Sequence, residues 1–114
     1  AVRYMVLIYN NHATVADMDG PGAERFDETH QTVIDELSQS GELVDTAPLD
    51  HVGRLVRRRE DSLSVTDGPF TEGIEFVGGY YLIEVVDEAR AVTIAGRFRE
   101  TETSLVEVRR VAST

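Results

Sequence analysis

Arg3–Tyr9 reads RYMVLIY, and the alternation of its side chains decides the fold. The stretch is short, apolar and rich in strand-favouring residues. Successive side chains of a strand point to opposite faces, which gives the sets Met5/Leu7/Tyr9 and Tyr4/Val6/Ile8. Both sets are apolar. A sheet with one face in water would carry polar residues on one of them, so this strand belongs to a sheet covered on both sides. The rest of the chain offers two clear helical patterns, enough to cover one face. The other face needs a partner.

Working outward, Asn10–Gly20 (NNHATVADMDG) reads as a loop, and Pro21 suits the first turn of a helix. Phe26, His30, Val33, Ile34 and Leu37 then recur at helical spacing, with Gly41 as the stop. Leu43 and Val44 begin a second strand. Leu55-Val56 and Leu63–Val65 flank the charged run Arg57–Asp61, a hairpin signature. Val77–Val86 carries the strongest strand signal, and Gly78-Gly79 within it predict a bulge or a close backbone approach. Asp87 is placed to cap a helix whose apolar side is Ala91, Ile94, Ala95 and Phe98. Leu105–Val111 closes the chain as a strand.

This order, β-α-β then a hairpin then β-α-β, predicts an α+β fold: a ferredoxin-like sandwich with an extra β-hairpin. Residues 1–114 read as one domain, without repeats, low-complexity tracts or a linker. Two helices on one sheet face leave the other open. Pairing of two copies, sheet against sheet, would bury it and form a dimeric α+β barrel, so a homodimer is expected.

Composition narrows the function. Eleven basic against 21 acidic residues leave a net charge of −10. Such a field repels phosphate backbones and anionic lipid, which argues against nucleic acid and membrane partners. The basic run Arg57–Arg59 is followed at once by Glu60 and Asp61 and reads as a solvated hairpin tip. No apolar run approaches the roughly 18 residues of a membrane span, and no leader pattern opens the sequence. A cytoplasmic setting is expected. There is no cysteine, hence no disulfide framework and no thiolate chemistry. His12, His30 and His51 lack metal-ligand spacing, so no metal site is expected. No serine sits in a nucleophile elbow, and Gly20-Pro21-Gly22 lacks the lysine of a phosphate loop.

The segment Asp67–Glu72 (DGPFTE) exceeds the needs of a turn, which two residues can make. Asp67-Gly68-Pro69 would shape the bend, with Gly68 in a conformation costly for a residue with a Cβ. Phe70, Glu72 and Glu75 remain to be explained. Together with Gly79–Ile83 (GYYLI), the opening RYMVLIY and the closing SLVEVRRV (Ser104–Val111), this motif resembles the DGPF branch of the YCII-related family. The resemblance spans the chain. It implies a dimeric ferredoxin-like α+β barrel, bacterial in most members, with few established activities. One departure is visible: Gly73-Ile74 precedes Glu75 where the family pattern carries a lysine.

His30 lies on the apolar stripe of the first helix, eleven positions before Gly41. Family members outside the DGPF branch often carry a histidine at that spacing, proposed to pair with an acid just after the first strand. Here that stretch is Asn10-Asn11-His12, without a carboxylate. Asp67 or Glu72 would have to supply the acid. Clustered carboxylates raise one another's pKa and can yield a general acid or base.

Two function classes follow. One is a cofactor-independent enzyme for proton transfer or elimination on a small cyclic substrate, with His30, Asp67 and Glu72 catalytic and Phe70, Glu75, Tyr80 and Tyr81 binding the substrate. Phe76 is a further candidate for the pocket wall. The other is a non-catalytic module binding a small molecule or partner, tied to bacterial transcription regulation by what the resemblance implies. Neither class calls for a cofactor.

Overall fold

A computed structural model describes residues 1–18, 20, 23–68 and 75–112. Its elements are β1 (Val2–Asn10), α1 (His12–Met18), α2 (Ala23–Ser40), β2 (Leu43–Pro48), β3 (Gly53–Arg59) and β4 (Ser62–Gly68). They continue with β5 (Phe76–Val85), α3 (Glu88–Ala95), α4 (Glu100–Thr103) and β6 (Leu105–Arg110). The main sheet is antiparallel, in the order β2-β5-β1-β6. That order places each βαβ unit's strands with a strand of the other unit between them, as in a ferredoxin-like α+β fold. Among the described residues, β3 and β4 pair only with each other, as the extra hairpin.

The core lies between the sheet and the helices. Val6, Val33, Leu37, Ile83, Ile94 and Phe98 are all buried there. One set of the β1 alternation, Tyr4/Val6/Ile8, points into it, while Met5, Leu7 and Tyr9 remain half-buried on the open face. Opposite Met5 in the β1–β5 register stands Leu82. An apolar strip thus crosses the face that the helices do not cover.

The helix signals hold in detail. α2 buries Phe26, Val33 and Leu37 and ends at Gly41, whose φ of 80° suits a residue without a Cβ. Asp87 caps α3 by accepting from the Arg90 backbone N–H. Two expectations need correction. The stretch after β1 is helical over His12–Met18 because Asn11 caps it: its carboxamide oxygen accepts from the Thr14 N–H at 2.9 Å. A seven-residue helix held by its cap shows too little apolar periodicity to be read. Gly68 is not in a left-handed conformation; Gly41 is the positive-φ glycine among the described residues. Gly68 is instead the last residue of β4, paired with Gly53.

Glu42 joins the end of α2 to α3. Its carboxylate accepts two bonds of 2.9 Å from Arg90 and one of 2.7 Å from Ser40. The Arg90 bonds dominate and hold its pKa near 2, below the ordinary 4.5. A depressed carboxylate pKa adds stability that is complete above about pH 4.5 and lost as pH falls toward 2. Glu42→Gln should therefore flatten the acid limb of a melting-temperature profile over that window. An unchanged slope would mean that the pair does not couple to folding.

Candidate functional site

His30 projects from α2, one turn beyond buried Phe26, toward the sheet and the segment after α3. Both ring nitrogens are engaged. Nδ1 lies 2.7 Å from Tyr81 Oη on β5, and Nε2 lies 2.8 Å from Glu100 Oε2 at the start of α4. A carboxylate can only accept, so Nε2–H donates to Glu100. In the neutral ring Nδ1 is then the acceptor, and the Tyr81 hydroxyl donates to it. Aromatic contacts hold the ring in plane. Its centroid is 4.9 Å from Phe98 and 5.8 Å from Tyr81, stacked in both cases.

Burial sharpens this chemistry. The Glu100 carboxylate is nearly enclosed, the residue being 3 % exposed, and His30 is its one side-chain partner among the described residues. The second oxygen, Oε1, is buried without a donor. An unsatisfied buried acceptor costs about 1–3 kcal/mol, so it marks a place where stability is given up. Burial pushes the Tyr81 phenol up to about 12; the Thr46 hydroxyl opposes the rise and the Glu100 charge adds to it. Tyr81 is therefore a neutral donor at physiological pH.

The triad borders a cavity of about 540 Å³, within the roughly 300–1,000 Å³ common for small-molecule sites. Phe26, Ile34 and Ile8 form apolar wall, and Asn10, Gly78 and Gly79 the strand side. The register of β1 against β5 shifts here: Ile8 pairs with Gly79 and Tyr9 with Val77, leaving Gly78 unmatched. The bulge expected from the two glycines is thus present. Its function is spatial. A Cβ on Gly78 would lie 1.9 Å from the Asn10 carboxamide nitrogen. Asn10 itself is 2 % exposed, with Oδ1 unpartnered.

The sequence-predicted residues do not all gather at the cavity. His30 and Tyr81 meet at the cavity. Tyr80 borders it, but its hydroxyl donates to Asp45 at 2.8 Å, and alternation sends its ring to the sheet's other face. Asp67 lies on the hairpin, 87 % exposed, in an ion pair with Arg54. Phe70 and Glu72 lie outside the described residues. Glu75 precedes β5 with a buried, unpartnered Oε2, and Phe76 packs edge-on against His51. Among the described residues the carboxylate that meets His30 is Glu100; Asp67 does not, and Glu72 lies outside the description. Sequence reading missed Glu100 and Asn10. The one available signal for Glu100 was its place two residues after Phe98, the last member of an apolar stripe. Among the described residues, no three His, Cys, Asp or Glu side chains gather as a metal would require.

The profile of the YCII-related domain matches residues 2–114. The chain belongs to the YCII-related family. No curated protein matches it. His30 carries a carboxylate on Nε2, and that acid comes from the segment after α3 rather than from the end of β1. No helix of the described residues is long and apolar enough to cross a membrane.

Gly78→Ala should displace Asn10 and cost roughly 1–3 kcal/mol by overpacking, measured by denaturant unfolding. Asn10→Ala in the same chain should recover part of that loss. Strict additivity of the two would show that they do not share the space.

Proposed function

We propose that this YCII-related protein binds a small molecule in the His30 cavity and transfers a proton on it. The observation that carries this reading is the buried relay Tyr81–His30–Glu100, ended by a neutral phenol at the cavity wall. Tyr81 Oη takes a proton from an activated C–H of the ligand while its own proton passes to His30 Nδ1. Glu100 stabilises the imidazolium that forms, and its bond to Nε2–H keeps Nδ1 as the accepting nitrogen. Return of the proton at another carbon gives isomerisation; departure of a leaving group gives elimination. Small cyclic carbonyl compounds have the size and acidity this requires.

One observation favours a second reading. Both His30 nitrogens are already satisfied by the protein, which suits a rigid wall that holds a ligand without reacting. A regulatory ligand-binding module, in the cytoplasm and linked to transcription, is the function that reading supplies. The DGPF motif Asp67–Phe70 supports a place in that branch of the family. The apolar strip of Met5, Leu7 and Leu82 supports a homodimer through the open sheet face.

Deuterium exchange into a panel of cyclic enones and lactones separates the two. Under the catalytic reading, His30→Gln lowers exchange about 10²–10⁴-fold, and Tyr81→Phe also lowers it, with folding preserved by circular dichroism. Ligands that bind without any exchange in the wild-type protein would establish the binding module instead. For assembly, light scattering at micromolar concentration should give twice the chain mass. A monomer would remove the sheet-face interface.

A further inference from the structure

The charge of the cavity wall names a ligand class, an inference that rests on the pocket reading above. Two carboxylates border the cavity, Asp27 at the exposed rim and Glu100 in its buried side, and no Arg or Lys does so. The wall is net negative whether His30 is neutral or protonated. The residues outside the description include no Arg or Lys either, so none of them can reverse the sign. In a chain of net charge −10, the surrounding field has the same sign as the wall. An anionic ligand would enter against both.

Hydrogen-bond bookkeeping points the same way. Glu100 and Asn10 both border the cavity, are both almost fully buried, and each keeps one oxygen without a donor. Two acceptors lacking donors match a ligand rich in N–H groups. Three rings, those of Phe26, Tyr81 and His30, and the apolar Ile34 also line the cavity. Aromatic faces attract cations electrostatically. We infer that the pocket takes a small planar organic cation carrying several N–H donors, an amidinium or guanidinium, and discriminates against carboxylates and phosphates of the same size.

Three probes of one shape test this: benzamidinium, neutral benzamide and anionic benzoate, titrated at pH 7 while the backbone amides of Ala47, Gly78 and Gly79 are followed by NMR. The expected order is benzamidinium tightest, with at least about a tenfold advantage over benzoate, equivalent to about 1.4 kcal/mol. Glu100→Gln should cut benzamidinium affinity about tenfold and leave benzamide within about twofold, again by that scale. Should Glu100→Gln disturb the fold, Asp27→Asn at the exposed rim gives the independent check, weakening benzamidinium alone. Benzoate binding as tightly as benzamidinium would overturn the cation preference and leave the pocket reading intact. No perturbation of these amides by any of the three would overturn the cation inference, while exchange into the cyclic enones and lactones tests the pocket reading separately.

Discussion

The pairing of β1 with β5 is the constraint on which the remaining structure depends. It joins the two βαβ halves, since each strand belongs to a different half, and it fixes which side chains face the helices. With Val6 opposite Tyr81 and Tyr4 opposite Ile83, one continuous apolar surface forms under α2 and α3. A slip of one residue would turn one strand's set away from the helices. The bulge at Gly78 interrupts this register near one end of β1. It does so beside Asn10, whose carboxamide occupies the space that a Cβ on Gly78 would need. The regular part of the pairing builds the core, and the irregular part opens the cavity beside it.

The same economy governs His30. A histidine on the apolar stripe of a helix ordinarily settles for one hydrogen bond and packing. Here the stripe delivers it between Tyr81 and Phe98, whose ring centroids are 4.8 Å apart, and both nitrogens find partners. Glu100 depends on His30 in turn. A carboxylate that is 4 % exposed at its side chain has lost its hydration, and an imidazole N–H replaces only part of it. Its unpartnered oxygen shows that the replacement is incomplete. Structures tolerate such a debt where a ligand or a reaction makes use of it.

Much of this was legible in the sequence, for reasons that can be traced to particular residues. β1, α2, β5 and α3 each carry enough apolar residues at one period to reveal their type. Gly41 and Asp87 mark ends by backbone chemistry that few other residues supply. The cavity glycines were visible as a break in a strand pattern. α1 was not visible, because seven residues held by the Asn11 cap need no apolar stripe. Glu100 was hidden for a different reason. The run Arg99–Thr103 (RETET) looks like a solvated surface, and nothing local shows that Phe98, packed in the core, draws the next residues inward. The meeting of Glu100 with His30, 70 positions apart, is a property of the fold and not of any segment.

That separation explains why the acid could not be located by motif. An imidazole is held in one tautomer by any carboxylate oxygen within hydrogen-bond reach of Nε2, and it is indifferent to the element that supplies it. The end of β1 and the end of α4 are neighbours in this fold. Asn11 donates to the Thr103 carbonyl at 2.7 Å, and Ser104 donates to the Tyr9 carbonyl at 2.5 Å. The end of β1 thus lies beside the short helix whose Glu100 bonds His30. Where β1 ends in Asn10-Asn11, one amide is free to border the cavity and the other to cap α1, while α4 brings the charge. Asp67, by contrast, is tied to Arg54 on a hairpin that, among the described residues, forms a sheet of its own. The site is assembled where the C-terminal end of β1 meets β5 and the segment after α3, and its acid follows from that geometry.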